Sequence, residues 1–261
     1  MNWKTKKGKV IMNLSMENIF VFDIDDTLYD QLHAFERAVN NLGLKTHWHL
    51  DIPRLYHLMK EYGDESFSTT GFDREKLKNM QIFRIKQALH DYNIEITDKQ
   101  AIKFQIDFEN YQNDIILFPE MEKLFNLLVA KKQTLGIITN GTLKRQQKKI
   151  KALQLEKWVP RENILISEEV GVSKPEKLIF NFFEDKLSDS IKNQTLFYIG
   201  DNYVNDIIGA NSVYWKTIWV NYRNYQKPKS CIADYIVQNP VELYDTIAKL
   251  LSKTTETNLD N

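Results

Sequence analysis

The chain has 261 residues, 43% hydrophobic and 27% charged, the balance of an ordinary globular protein with enough apolar material for a core. Its 35 Lys and Arg match its 35 Asp and Glu, so no net field favours nucleic acid or an anionic membrane as partner. The one cysteine, Cys231, excludes an intramolecular disulfide framework and suits a reducing cytoplasm, where it reads as a buried or idle thiol.

The stretch from Met1 to Lys9 is basic but leads into no apolar run of signal-peptide length, and no segment approaches a transmembrane span. Met12 and Met16 both precede the first expected strand, so residues 1–13 read as an upstream start or loose leader. That strand is Ile19–Phe22, apolar on successive residues as in a parallel sheet covered on both faces. From Gln31 to Ile115 the periodicity becomes helical. Leu32, Phe35, Val39 and Leu42 share a face that ends at Gly43, and Leu55, Leu58, Met59 and Tyr62 repeat the pattern between Pro53 and Gly63. Asp64–Gly71, polar and rich in Ser and Thr, reads as a connecting loop. Leu77, Met80, Phe83 and Leu89 form a third stripe. Thr97 with Gln100 makes a capping box before a fourth, carrying Ala101, Phe104 and Phe108.

Further strands are expected at Thr134–Ile138, Ile164–Ile166, Leu196–Ile199, Thr217–Val220 and Tyr235–Val237. Helices at Glu120–Ala130, Leu143–Leu153, Lys177–Lys186, Asn205–Ser212 and Val241–Leu251 alternate with them, which argues an open α/β sheet. The expected division is a core of residues 14–30 and 116–252, a helical insertion of 31–115, and loose ends at 1–13 and 253–261.

The first strand runs into Asp23-Ile24-Asp25-Asp26-Thr27, beyond the carboxyl end where open α/β sheets bind ligands. Three acids in four residues repel one another unless a cation or proton relieves them, although Asp and Thr at a strand end can also simply cap a turn. Three later features weigh against the turn. Thr139-Asn140-Gly141 ends the second strand with a hydroxyl, an amide and a flexible backbone suited to phosphate oxygens. Gly171-Val172-Ser173-Lys174-Pro175 places an ammonium before a helix expected to begin at Pro175. Gly200-Asp201-Asn202-Tyr203-Val204-Asn205-Asp206 follows another strand and adds two carboxylates.

In this order the four motifs resemble those of the haloacid dehalogenase-like hydrolase superfamily, over nearly the whole chain, with matches at Asp23/Asp25/Thr27, Thr139, Lys174 and Asp201/Asp206. The resemblance implies a Rossmann-like core with an inserted helical cap, as in many small-molecule phosphatases. It implies Asp23 as nucleophile, forming an aspartyl-phosphate, and Asp25 as general acid and base. It also implies Mg²⁺ held by Asp23, the Asp25 carbonyl and Asp201, with Asp206 as a further or outlying ligand. Thr139 and Lys174 would stabilise the transferring oxygens, with Thr27, Asn140 and Gly141 lining the phosphate end. Dehalogenase members lack an acid at the position of Asp25, so its presence favours phosphorus over a carbon–halogen bond. The implied partner is a small phosphorylated metabolite: a nucleotide, a sugar phosphate or a phosphorylated cofactor. A phosphomutase and a non-catalytic regulator on the same fold stay open, though a binding module gains nothing from crowded carboxylates. The sequence does not choose between monomer and homodimer.

Weaker signals have plain explanations. His47 and His49 flank Trp48, and His33, His57 and His90 lie nearby, but no Cys or Glu cluster completes a zinc site. Lys144, Arg145, Lys148, Lys149 and Lys151 read as the solvated face of one helix. Trp215 and Trp219 read as packing around a core strand. For substrate choice the candidates are the Asp64–Gly71 segment as entry loop, Tyr29 near the leaving group, and Arg84 facing a second anion. Asp25, as a working acid and base, is expected to be free of any permanent salt bridge.

Overall fold

The computed structural model describes residues 18–44, 50–70, 72–187 and 194–256, with side chains described except for 65–70 and 253–256. Residues 1–13, Met12 and Met16, and the His47-Trp48-His49 segment lie outside the described residues. In chain order, β1 (Ile19–Phe22) is followed by four helices: α1 (Leu32–Asn40), α2 (Ile52–Thr70), α3 (Arg74–His90) and α4 (Asp98–Tyr111). Then come α5 (Pro119–Ala130), β2 (Thr134–Thr139), α6 (Leu143–Ala152), β3 (Ile164–Ile166), α7 (Ser167–Val170) and α8 (Lys177–Lys186). The chain closes with β4 (Leu196–Gly200), a π-helical turn (Tyr203–Ile208) running into α9 (Gly209–Asn211), β5 (Lys216–Val220), β6 (Tyr235–Val237) and α10 (Pro240–Glu256).

The six strands form one sheet in the order β3-β2-β1-β4-β5-β6, every neighbouring pair parallel. This is the α/β, Rossmann-like arrangement, and β1 explains why its sequence is apolar at each position. Phe20 and Phe22 join a core with Phe125 and Leu128 of α5 and Leu243 and Ile247 of α10. Ile19 and Val21 point the other way, into a second core with Phe180 and Phe183 of α8 and Tyr198 of β4. Chain order reverses at β1, which lies between β2 and β4, so the crevice used by ligands of such sheets opens beyond its carboxyl end.

The inserted helices bury a core of their own, in which Phe35 meets the rings of Tyr56, Phe104 and Phe108. The capping box of Thr97 and Gln100 is formed at the start of α4. Three expectations need correction. Asp64–Thr70 is the last part of α2, not a loop. The helix passes through Gly63 because packing against α3, with Tyr62 edge-on to Phe83, outweighs the roughly 1 kcal/mol a mid-helix glycine costs. Pro175 sits in a turn closed by the Glu176 N–H donating to the Ser173 carbonyl at 2.9 Å, and α8 starts two residues later. Finally, α10 continues to Glu256, so residues 253–256 extend a helix instead of opening a loose tail. Among the described residues no helix is long and apolar enough to cross a membrane.

Candidate active site

The Asp23 N–H still donates to the Ile199 carbonyl at 2.9 Å, which carries the β1–β4 ladder one residue past the strand. The chain then turns sharply at Asp26, whose φ of +57° is a conformation non-glycine residues rarely adopt. The turn sends consecutive carboxylates to different cations. Lys174 Nζ donates to Asp23 Oδ1 at 2.8 Å, to Asp206 Oδ1 at 2.6 Å and to the Tyr198 hydroxyl at 2.8 Å. All three donors of this buried ammonium are thereby used. Burial pushes the Asp23 carboxyl up, the Lys174 charge pulls it down, and Asp206 and Asp25 push it up again, leaving it at about 6. Burial alone would lower Lys174, but Asp206 and Asp23 hold it well above its ordinary range.

Lys174 is itself fixed by Asn140. The Lys174 N–H donates to Asn140 Oδ1 and Asn140 Nδ2 donates to the Lys174 carbonyl, both at 2.9 Å. The Asn140 amide is therefore occupied in tying the end of β2 to the turn before α8. The Gly141 N–H likewise donates to Ser167 Oγ at 2.9 Å. The hydroxyls of Thr139 and Thr27 are buried and, among the described residues, have no hydrogen-bond partner.

Asp23, Asp201 and Asp206 each offer a carboxylate oxygen within 4.8 Å of the others. Gly200 makes this possible: a Cβ there would lie 2.3 Å from Asp206 Oδ2. Asp206 Oδ2 accepts the Asn202 N–H at 2.9 Å, and Trp219 Nε1 holds the Asp201 carbonyl at 2.9 Å, so a packing tryptophan also positions the loop. Burial raises the Asp201 carboxyl well above its usual range despite the nearby Lys60 charge. A cluster of three carboxylates, short of positive charge and without imidazole or thiolate, suits a hard divalent cation such as Mg²⁺.

Asp25 is not free of ion pairs. Lys149 Nζ lies 2.6 Å from both of its oxygens, Gln146 Nε2 donates to Oδ2 at 3.2 Å, and the Tyr29 hydroxyl and Gln31 amide donate to Oδ1. Burial acts to raise this carboxyl, but Lys149 and the hydrogen bonds prevail and hold it below its usual range. Lys149 is thus a correction to the reading of a solvated basic face: its side chain is only 3% exposed. Helical spacing carried the signal, since Gln146, Lys149, Ile150 and Leu153 fall at i, i+3, i+4 and i+7 on the buried side.

Other contributors lay outside sequence reasoning altogether. Lys60 of α2 bridges Asp26 at 3.0 Å and Asp201 at 2.7 Å, and Arg223 reaches Asp26 at 2.6 Å from beyond β5. Asp64 of α2 accepts from Asn202 Nδ2 at 2.7 Å. The inserted helices therefore lie directly on the acidic end of the sheet.

Two recesses meet at Asp25. One, of about 100 Å³, is bordered by Asp23, Asp25, Lys174, Asp201 and Asp206. The other, of about 190 Å³, lies between α2, α3 and α6 and is bordered by Asp25, Lys60, Asp64, Arg84, Arg145 and Lys149. Tyr29 touches Asp25 from the side, and Arg84 stands within the larger cavity.

Known proteins resemble this chain in sequence and fold. The glyceraldehyde 3-phosphate phosphatase of Pyrococcus furiosus is 26% identical over 241 residues, covering 88% of this chain and 93% of the relative. The pyrimidine 5'-nucleotidase YjjG of Escherichia coli is 30% identical over a shorter stretch, 44% of this chain and 50% of its own length. Among solved structures, the magnesium-bound HAD-hydrolase YfnB of Bacillus subtilis superposes with a TM-score of 0.66 at 22% identity, over 88% of this chain and 98% of that one. A dehalogenase with an intermediate complex superposes at 0.68 and 18% identity, covering 88% and 97%, so the fold is shared by more than one chemistry. The family described as haloacid dehalogenase-like hydrolase matches residues 17–213, from the strand that delivers Asp23 past the one that delivers Asp201 and Asp206, and the chain belongs to that family of hydrolases.

Proposed function

We propose that the protein is a phosphomonoesterase that hydrolyses phosphate esters of compact metabolites, three-carbon and sugar phosphates among them. The observation that carries this reading is the place of Asp25, at the junction between the recess holding Asp23 and Lys174 and the larger cavity under α2 and α3. A phosphoryl group in the first recess leaves its ester oxygen beside Asp25 and its organic part in the second. The Asp23 carboxylate attacks phosphorus and becomes an aspartyl-phosphate while Asp25, which must first exchange its contact with Lys149 for a proton, gives that proton to the departing oxygen. Asp25 then takes a proton from the water that cleaves the acyl phosphate. Lys174 keeps Asp23 charged and oriented, and the unpartnered Thr139 hydroxyl donates to the transferring oxygens. Asn140 acts through its hold on Lys174.

Mg²⁺, held by Asp23, Asp201, Asp206 and the Asp25 carbonyl, would offset the repulsion between the attacking carboxylate and the phosphate. The magnesium-bound structure of YfnB supports that choice of ion. Helices α1–α4 act as the cap that encloses the organic part. The phosphatases of three-carbon substrates among the relatives favour a small ester. So does the cavity of about 190 Å³, which is below the roughly 300–1,000 Å³ of pockets for drug-sized ligands.

Hydrolysis of p-nitrophenyl phosphate and of glyceraldehyde 3-phosphate should require Mg²⁺ and fall at least about a thousandfold in Asp23→Asn. Activity that survives EDTA, or survives in that variant, would sink the mechanism.

A further inference from the structure

We propose that Arg84 and Arg145 form a second anion subsite, which selects phosphate esters carrying a further negative group such as a carboxylate. The proposal rests on the phosphatase reading and adds a substrate class to it. The cavity beside Asp25 contains four cations, and two of them are already matched: Lys149 by Asp25, Lys60 by Asp26 and Asp201. The other two are less well matched, Arg145 having only a loose ion pair and Arg84 none among the described residues. Arg84 Nη2 donates to Gln105 Oε1 at 2.9 Å and Arg145 Nη2 to Gln112 Oε1 at 3.3 Å, both neutral acceptors. Glu109 lies 3.6 Å from Arg145 Nε, an ion-pair distance too long for a hydrogen bond, and among the described residues the buried Nε of each arginine has no hydrogen-bond partner. A guanidinium offers five N–H groups in a planar fork that matches a carboxylate, and here two such forks border one cavity.

Burial first, and then the charge of Arg145, bring Arg84 down to about 10 even though Asp64 and Glu109 act in the opposite sense. The backbone also makes room for Arg84. A Cβ at Gly63 of α2 would come within 3.3 Å of Arg84 Cδ and 3.6 Å of its Nη1, so the arm lies across a glycine placed inside a helix. Arg145 follows from the register of α6: it precedes Gln146 and stands four residues before Lys149, two of the four residues that hold Asp25. One helix thus carries both the contacts of the acid–base carboxylate and half of the second site, which fixes the spacing between them.

The test uses Asp23→Asn protein and two ligands with the same carbon chain, 3-phosphoglycerate and glycerol 3-phosphate, which differ by a carboxylate in place of a hydroxymethyl group. By calorimetry the carboxylate ligand should bind at least about tenfold more tightly. Arg84→Met or Arg145→Met should bring the ratio of the two affinities near one, and effects common to both ligands cancel in that ratio. Arg84→Lys should keep part of the preference. If Arg84→Met does not fold, Arg145→Met reads the same ratio. Equal binding of the two ligands, no binding of either, or a ratio unmoved by these substitutions overturns the subsite. The phosphatase reading fails by a different result: wild-type protein that cleaves no phosphate ester, p-nitrophenyl phosphate included.

Discussion

Asp23 and Asp25 are two residues apart on one turn, yet the molecule treats them in opposite ways. Asp23 belongs to the sheet: its cation, Lys174, is shared with Asp206 and fixed by Asn140, and burial leaves the carboxyl raised to about 6. Asp25 belongs to the boundary with the inserted helices: its cation, Lys149, is held by it alone, and the carboxyl is depressed. Asp26 faces the insertion outright, gripped by Lys60 and Tyr56 of α2 and by Arg223. Asp23, clustered with Asp201 and Asp206, offers carboxylate oxygens that could hold a divalent cation. The lysine beside Asp25 favours its charged form, which can take a proton but not give one, and Asp26 is paired on two sides. Within four residues of chain, three carboxylates meet three different sets of cations.

The largest effect should follow from breaking the sheet side of this comparison. Lys174→Met leaves Asp23 and Asp206 buried without their common cation. It should cost about 3–5 kcal/mol of stability in urea denaturation of metal-free protein. Phosphatase turnover should drop by about 10²–10³. A variant as stable as wild type would show that the triad contributes no net pairing.

The raised carboxyl of Asp23 gives the next effect, in metal-free protein. Its folded value of about 6 lies above the ordinary 3.8, so protonation favours the folded state. The stabilisation is complete below about pH 4 and is lost as pH rises through 6. Asp23→Asn, which cannot ionise, should therefore gain on wild type across that window, by about 3 kcal/mol at most. Saturating Mg²⁺ should remove the difference, because it favours the carboxylate. A stability difference independent of pH between 4 and 7 would place the shift elsewhere.

Much of this was legible in the sequence, and the reason is physical. β1 is apolar at four successive positions because both of its faces are covered, and that pattern exposes the acids that follow it. The cations were harder to see. Lys60 and Arg223 reach Asp26 across 34 and 197 residues, and no local spacing announces such a meeting. Lys149 was within reach of the helical repeat that places it beside Ile150, but its charge suggested solvent. Gly63 misled in the same way: a residue that often stops helices here clears space for Arg84.

The smallest effect would sharpen the boundary side of the comparison. Burial by itself would raise the Asp25 carboxyl, and Lys149 is the first of the groups that outweigh it. Lys149→Met removes that charge while Tyr29, Gln31 and Gln146 still hold the side chain in place. A depressed carboxyl stabilises the fold above its unfolded value and loses that contribution as pH falls, so the variant should show less acid-side loss than wild type. Its Asp25 should titrate about one unit or more higher in carboxyl-carbon NMR, and the alkaline limb of kcat/KM for glyceraldehyde 3-phosphate, whose leaving oxygen needs the proton, should move up with it. Lys149→Arg should keep both near their wild-type positions. An Asp25 that titrates identically in all three proteins would mean the hydrogen bonds alone set its charge, leaving Lys149 as packing beneath the site.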